Sequence, residues 1–227
     1  MWYDEVGPNE PWSALWKGYI VCGTCSGIRH YAKACPTCGA PPPTLETRKL
    51  RLDDGSEVEL APAFMGAEGR YEDWIYLRLL EREWKRPLSN PDEVFSFPEV
   101  RTSPRAAIVL LFWTYFETRI DRLIRAGMTG IPESIQEDML RRYSFIGARL
   151  RELYHIVFGS TYERDLDFLG YSTVKEHLRD LRERRNRFMH GEPGAVDDQL
   201  VTAVVEMLKI EHEAWIAIFN LRVANRR

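Results

Sequence analysis

From residue 71 to the end of the chain, apolar residues recur with the period of amphipathic α-helices. The run from Ile108 to Phe116 is apolar nearly all round, which is typical of a helix at the centre of a bundle. A proline-rich connection separates this helix from the one before it, and a polar and aromatic loop is expected at 160–171. The pattern predicts long helices at 71–86, 104–126, 133–158, 172–190 and 197–223.

The first quarter of the chain follows a different pattern. Apolar and polar residues alternate on either side of Asp54-Gly55, a dipeptide typical of tight hairpin turns, which predicts strands at 44–52 and 56–60. We expect this hairpin to complete the small sheet of an N-terminal module. Residues 61–69 contain proline and glycines and are predicted to form a linker. The expected fold is therefore mainly α, with a helical bundle at 69–227 preceded by a small β module at 1–62.

All four cysteines lie in that module, as Cys22-x-x-Cys25 and Cys35-x-x-Cys38. Each pair presents two thiolates to one ion, so the two pairs predict a tetrahedral four-sulfur site, and the segment resembles a zinc ribbon. Disulfides are disfavoured in a reducing compartment, and no βαβ pattern surrounds either pair as it would in a thioredoxin-like motif. Because four protein ligands leave no open position, we expect the zinc to be structural.

The composition indicates which cellular compartment and which binding partners to expect for this protein. The 227 residues have a net charge of −3 and 44% hydrophobic residues, which suits a globular protein and not a polycationic DNA-coating one. No apolar run approaches a membrane span and the N-terminus lacks signal-peptide features, so we expect a cytoplasmic protein with no membrane partner. The cysteine module is locally basic, which indicates either contact with a nucleic-acid backbone or a platform for another protein.

The most informative stretch closes the predicted helix at 172–190. At about 100° per residue, Arg185 falls in the middle of the apolar stripe, an interruption typical of functional sites. Asn186 and His190 lie four residues apart on a neighbouring face, and Gly191 predicts the helix end. The alternative is an ordinary solvated helix end, favoured by the helix dipole, with His190 as a terminal cation.

Arg185-Asn186-x-x-x-His190 resembles the R-N-x-x-x-H signature of the HEPN superfamily, and the resemblance covers about residues 69–224. It implies an all-helical, commonly dimeric bundle whose active members are metal-independent RNA endonucleases. It also implies that Arg185 and His190 are the catalytic pair, supported by Asn186. An acidic or polar residue on an early helix is frequent in the family, so we assign Glu117 to the site and expect Arg185 to be its partner.

The expected function is that of an RNA endonuclease in a toxin or phage-defence system, with no catalytic metal. Three further arginines of the motif helix are expected to bind the RNA backbone, namely Arg182, Arg184 and Arg187. A homodimer would supply a second Arg–His pair, and an antitoxin or regulatory protein is a further expected partner. His177 and His212 lie among charged residues and are expected to face solvent.

Two other functions fit the same sequence. One is a non-catalytic HEPN-like dimer that binds or senses a ligand, with the zinc ribbon as its recognition surface. The other is a zinc-ribbon regulator that binds nucleic acid and uses the helical part only to dimerise.

Overall fold

A computed structural model describes residues 9–44, 48–60, 71–88 and 102–224. The predicted linker at 61–69 and most of the proline-rich connection lie outside the described residues. The boundary between the two predicted domains therefore stays a prediction. None of the helices in the described ranges is both long enough and apolar enough to cross a membrane.

The N-terminal module opens with a 3₁₀-helix, Trp12–Trp16. Two antiparallel strands follow, β1 (Tyr19–Val21) and β2 (Ile28–His30), and the first cysteine pair lies in the turn between them. The apolar residues of this segment point into the protein, because Trp16 and Ile28 are fully buried. The segment that carries the first cysteine pair is thus a β-hairpin, and the second pair follows β2.

A second hairpin consists of β3 (Arg48–Arg51) and β4 (Glu57–Leu60). It lies around Asp54-Gly55 as predicted, and Gly55 has the positive φ, +82°, that favours glycine in a tight turn. In the part of the chain that the structure describes, β3 pairs with β4 in a sheet of its own. The expectation that this hairpin completes the sheet of β1 and β2 is therefore wrong.

The rest of the described chain is helical, which confirms the mainly α fold class with a small β module in front. Within those residues the segments are α1 (Tyr71–Lys85), α2 (Ala107–Gly127), α3 (Glu133–Arg142), α4 (Ile146–Ala148), α5 (Tyr154–Phe158), α6 (Tyr162–Phe168), α7 (Ser172–Met189) and α8 (Asp198–Arg222). A π-helical turn, Arg149–Leu153, joins α4 to α5, and a 3₁₀ turn, Pro193–Ala195, precedes α8.

Helix α2 is the centre of the bundle and contacts α1, α5, α7 and α8. Its apolar residues are buried on nearly every face, as the sequence pattern indicates. Two of its arginines are buried as well, and each has an acidic partner on a neighbouring helix. Arg119 pairs with Glu211 of α8, and Arg122 pairs with Asp73 of α1 through contacts of 2.5 and 3.0 Å. The partners satisfy charges that would be costly to bury alone.

The predicted helix at 133–158 is interrupted, because α3 ends at Arg142 and α4 begins at Ile146. The side chain of Arg149 reaches back to the end of α3. There it donates to the carbonyl oxygens of Tyr143 at 2.9 Å and Leu140 at 3.4 Å. Carbonyl groups at a helix end lack partners within the helix, so this side chain stabilises the break.

Helix α6 lies where the sequence indicated a loop. Thr161 caps it, since its side chain accepts a hydrogen bond from the backbone N–H of Arg164. Asp165 then fixes it to the core by accepting from Tyr154 Oη at 2.5 Å, Ser160 Oγ at 2.8 Å and Arg222 Nε at 2.5 Å. Tertiary contacts of this kind stabilise a seven-residue helix that local propensity does not predict.

The cysteine hairpin packs directly on the helices. Trp16, Tyr19 and Ile28 belong to the same buried cluster as the core of α2 and α8. The ring of Trp16 meets Trp215 of α8 edge-on, with ring centroids 5.9 Å apart. The hairpin and the bundle therefore share one continuous core.

Candidate metal centre and candidate nucleic-acid site

The four cysteine sulfurs converge on one point. All four Sγ atoms lie within 4.8 Å of one another, and the Cys22–Cys38 and Cys25–Cys35 pairs are both 3.7 Å apart. A tetrahedral zinc site with Zn–S bonds of about 2.3 Å requires sulfurs about 3.8 Å apart. The donor set and its spacing are therefore consistent with a structural metal such as zinc.

The backbone around the two cysteine pairs is nearly identical. In each, the carbonyl of the first cysteine accepts from the residue four positions on, Ser26 in one case and Gly39 in the other, both at 2.9 Å. Both of those residues have positive φ, +65° and +71°. The first cysteine N–H then closes the loop, Cys22 onto Gly27 and Cys35 onto Ala40. Two matching knuckles that face each other provide the ligands of one tetrahedral ion.

The pKa values of two of the thiols are shifted in opposite directions. Burial raises the pKa of Cys22, but backbone hydrogen bonds from Cys25 and Thr24 outweigh it and bring the pKa to about 6. Burial also raises the pKa of Cys25, here to about 12. A bound cation favours the thiolate form of all four ligands, so it offsets the cost of ionising the buried thiol.

Arg29 organises the loop that carries the second cysteine pair. It is buried, and its Nη1 atom donates to the carbonyls of Ala40 at 3.1 Å and Pro41 at 2.9 Å. Its Nη2 atom donates to the carbonyl of Lys33. Arg29 contributes to the basic charge of the module in the sequence, but in the fold it is buried and holds the loop of the second cysteine pair.

The second candidate site lies at the C-terminal end of α7, which ends at Met189 as the sequence predicted. Gly191, with φ +96°, donates to the Phe188 carbonyl at 3.2 Å, and Glu192 donates to the Arg187 carbonyl at 3.0 Å. These two bonds form a Schellman motif. It fixes the backbone of His190 at the helix terminus and leaves the imidazole exposed.

Arg185 lies on the apolar stripe of α7 and is half-buried. Its Nη1 atom donates to Asn186 Oδ1 at 3.1 Å, whereas its Nε atom is buried without a hydrogen-bond partner. No acidic side chain of the described residues forms an ion pair with it. The stripe itself is confirmed as the core-facing side of the helix, since Val174, Leu178 and Leu181 are buried.

Glu117 does not pair with Arg185. Its carboxylate instead accepts a hydrogen bond from Trp113 Nε1, one turn earlier on α2, at 2.6 Å. The expected partnership is therefore wrong, because a nearer donor on the same helix satisfies the acid. The buried arginines of α2 that do pair with acids are Arg119 and Arg122, which follow the apolar run.

The three arginines assigned to RNA binding occupy different surroundings. Arg184 lies between Asp197, at 2.7 Å, and the carbonyl of Ala195, at 2.9 Å, so it fastens the turn before α8. Arg187 pairs with Glu192 at 2.8 Å on the surface. Arg182 forms no ion pair among the described residues. It is the member of the set whose charge is not offset.

His212 was expected to face solvent, and that expectation is wrong. It is fully buried, with its ring edge-on to Trp16 at 4.6 Å and to Tyr19 at 5.7 Å. Burial, with a contribution from the charge of Arg119, lowers its pKa to about 3. The sequence pattern missed it because Trp16 of the 3₁₀-helix and Tyr19 of β1 cover this face of α8. His177 is also partly buried, 6.4 Å from the ring of Phe112.

The chain matches no protein-family model, no curated protein and no solved structure.

Proposed function

We propose that this chain is a metal-independent RNA endonuclease of HEPN type that acts as a homodimer in a toxin or phage-defence system. The observation that carries the proposal is the state of Arg185. It is a permanent cation on a core-facing stripe, forms no ion pair with an acid among the described residues, and lies five positions before an exposed histidine. A charge held this way is available to an anion from outside the fold.

RNA cleavage of this kind requires a cation that stabilises the charge on the phosphate and groups that transfer protons. The RNA 2′-oxygen attacks the adjacent phosphorus, the bond from phosphorus to the 5′-oxygen breaks, and a 2′,3′-cyclic phosphate forms. One group must accept the 2′-hydroxyl proton and another must protonate the leaving 5′-oxygen. His190 suits either role because an imidazole has one nitrogen that accepts a proton and one that donates it. Arg185 stabilises the charge on the phosphorane oxygens, and Asn186 orients the guanidinium through its hydrogen bond.

The motif contains a single histidine, His190, and this is the reason for proposing a dimer. One imidazole cannot be base and acid in the same step, so a second copy of the chain would supply the other. Met189, next to His190, is 55% exposed and offers an apolar contact for that copy. Light scattering should give a dimer mass, and an active monomer at micromolar concentration would refute the composite site.

The experiment that tests this proposal compares cleavage of total RNA in EDTA by the purified protein and by the His190→Ala variant. His155→Ala is the matched control, since His155 is an exposed histidine on α5. We expect cleavage by the unaltered chain and by the control, none by His190→Ala, and products with a cyclic phosphate and a 5′-hydroxyl. An oligonucleotide with a 2′-deoxy residue at the cut position should resist cleavage there. A requirement for added magnesium, or full activity without His190, contradicts the mechanism.

The second candidate function is a non-catalytic HEPN-like dimer that binds or senses nucleic acid or protein. The ion pairs of Arg184 and Arg187 favour it, because two of the three arginines assigned to RNA already have acidic partners. Growth arrest on expression, relieved by His190→Ala, would support the nuclease. Binding without cleavage, equal in both proteins, would support the binding module.

We also propose that the ion of the four-cysteine site is zinc. The sulfur spacing fits the Zn–S bond length, and closed four-thiolate sites are typical of structural zinc. Metal analysis of the purified chain should find one zinc per molecule. A folded preparation with a different metal, or with a disulfide between these cysteines, would contradict the assignment.

A further inference from the structure

A shallow recess opens between α2, α6 and α7. Its floor is apolar and includes Trp113, Phe116 and Leu178, and its rim carries Lys175, Arg179 and Arg182 from α7. Its empty volume, including solvent at the mouth, is about 310 Å³.

The basic rim leads along α7 to the proposed catalytic end. At about 100° per residue, Lys175, Arg179, Arg182, Asn186 and His190 fall within a sector of about 80° on the helix. With a rise of 1.5 Å per residue, Arg182 lies about 12 Å from His190 along the axis and Lys175 about 22 Å. We call this row of five residues the polar face of α7. Arg185 lies outside this sector, on the buried stripe.

The charges on this face are only partly offset. Lys175 is held by Asp167 at 2.6 Å. Arg179 has a looser contact with Glu163, 3.4 Å between side chains that are 57% and 40% exposed, and such exposed pairs contribute little. Arg182 has no acidic partner among the described residues, and its guanidinium lies over Gly147 at the edge of the recess. Two guanidinium groups are thus available to a polyanion.

We infer that the polar face of α7 is the track for one RNA strand, with Arg179 and Arg182 binding phosphates on one side of the scissile bond. The inference rests on the proposed nuclease function, which it extends to the mode of substrate binding. A single strand fits because cations spaced along one face of a helix meet successive phosphates of one backbone. Contacts of this kind carry little sequence preference, since they are made to the backbone.

The track is tested by binding, separately from cleavage. In the His190→Ala background, a fluorescent single-stranded RNA is titrated into the protein and into the Arg179→Glu/Arg182→Glu variant. We expect binding to weaken by roughly tenfold or more, since two phosphate contacts are lost. The slope of log affinity against log salt should become shallower by about 1.4, or about 0.7 for each phosphate contact on a single strand. Arg78→Glu/Arg82→Glu is the matched control, because both arginines are exposed on α1 and the double variant makes the same charge change away from α7.

Folding and specificity have their own controls. Arg179→Gln/Arg182→Gln removes the charges without adding acids, and should give a smaller loss of affinity with an unchanged melting temperature. If binding and salt slope are the same in both double variants as in the parent, the track is refuted. If an acidic peptide displaces the RNA at equal charge and concentration, the face is a protein-binding surface and the inference is likewise overturned.

The two proposals fail differently. Cleavage of RNA by the wild-type chain at the same rate as by Arg179→Gln/Arg182→Gln would overturn the track and leave the nuclease standing. RNA binding that depends on both arginines, with no cleavage by the wild-type chain under any condition tested, would overturn the nuclease and leave the polar face as an RNA-binding surface.

Discussion

The side-chain amide of Asn220 forms hydrogen bonds with both the N–H and the carbonyl of Ile28, 192 positions away in the chain. The N–H of Ile28 donates to Asn220 Oδ1 at 2.6 Å, and Asn220 Nδ2 donates to the carbonyl of Ile28 at 2.9 Å. Gly27, beside them, packs so closely that an added Cβ would lie 3.0 Å from the same amide oxygen. The metal hairpin and the last helix are therefore joined by a specific polar contact at the edge of the shared core.

Asn220→Ala should loosen this junction. It leaves the N–H and the carbonyl of Ile28 without partners, which costs about 1–3 kcal/mol for buried groups. Urea unfolding measures the loss, and hydrogen exchange at Ile28 shows where it occurs. Gln199→Ala, at an exposed position on the same helix, should change the free energy of unfolding by less than about 0.5 kcal/mol. Equal effects of the two substitutions would contradict a stabilising role of the Asn220–Ile28 hydrogen bonds.

Removing the metal should destabilise the end of α8 as well as the hairpin. Ala224, just beyond α8, packs on the cysteine cluster, so loss of the ion weakens the surface against which it lies. We expect chelation to lower the melting temperature and to expose the C-terminal end of α8 to protease. Re-addition of zinc should reverse both changes. Protection that persists in metal-free protein would show that the hairpin folds without the ion.

Arg119 and Glu211 should behave as a coupled pair. Both are fully buried, and Arg119 also lies against the rings of Tyr115 and Trp215, at 4.2 and 5.4 Å. Arg119→Met or Glu211→Leu alone leaves an unpaired buried charge, at a cost of about 3–5 kcal/mol. The double variant should lose much less than the sum. A double-mutant cycle by urea unfolding checks this, with Arg141→Ala at the exposed Asp138 pair as a control expected to cost under about 1 kcal/mol.

Arg185 and Arg184 should respond oppositely to the same substitution. Arg185→Leu places an apolar side chain on the buried stripe and should raise stability by about 0.5–1 kcal/mol while abolishing RNA cleavage. Arg184→Leu removes the bonds to Asp197 and Ala195 and should lower stability by about 1–2 kcal/mol. Thermal unfolding and the cleavage assay report the two effects. A loss of stability in Arg185→Leu would mean that this arginine serves the fold.

His212 should make the protein sensitive to mild acid. Its folded-state pKa of about 3 lies below the unfolded value of about 6.5, so the unfolded chain binds the proton first. The contribution to stability is complete above pH 6.5 and falls as the pH drops toward 3, by about 2 kcal/mol at pH 5. His212→Phe should remove this part of the pH dependence of urea unfolding, whereas His155→Phe, at an exposed position, should keep it. Identical pH profiles for all three proteins would rule the effect out.

The sequence by itself determined the features that depend on neighbouring residues. The two cysteine pairs, the hairpin turn at Asp54-Gly55 and the helix that ends before Gly191 follow from spacing and backbone preference, and each is present in the structure. The apolar stripe of α7 also followed from period alone. These are local properties, because a cysteine spacing or a helical period holds wherever the segment is placed.

Only the tertiary structure decided which polar groups meet. Glu117 accepts a hydrogen bond from the indole of Trp113 on its own helix. Arg119 forms an ion pair with Glu211, because the packing of α8 on α2 brings that acid within reach. His212 is buried for the same kind of reason, since Trp16 and Tyr19, far away in the chain, cover its face of α8. Burial and pairing depend on what packs against a helix, and periodicity within one helix contains no information about its neighbour.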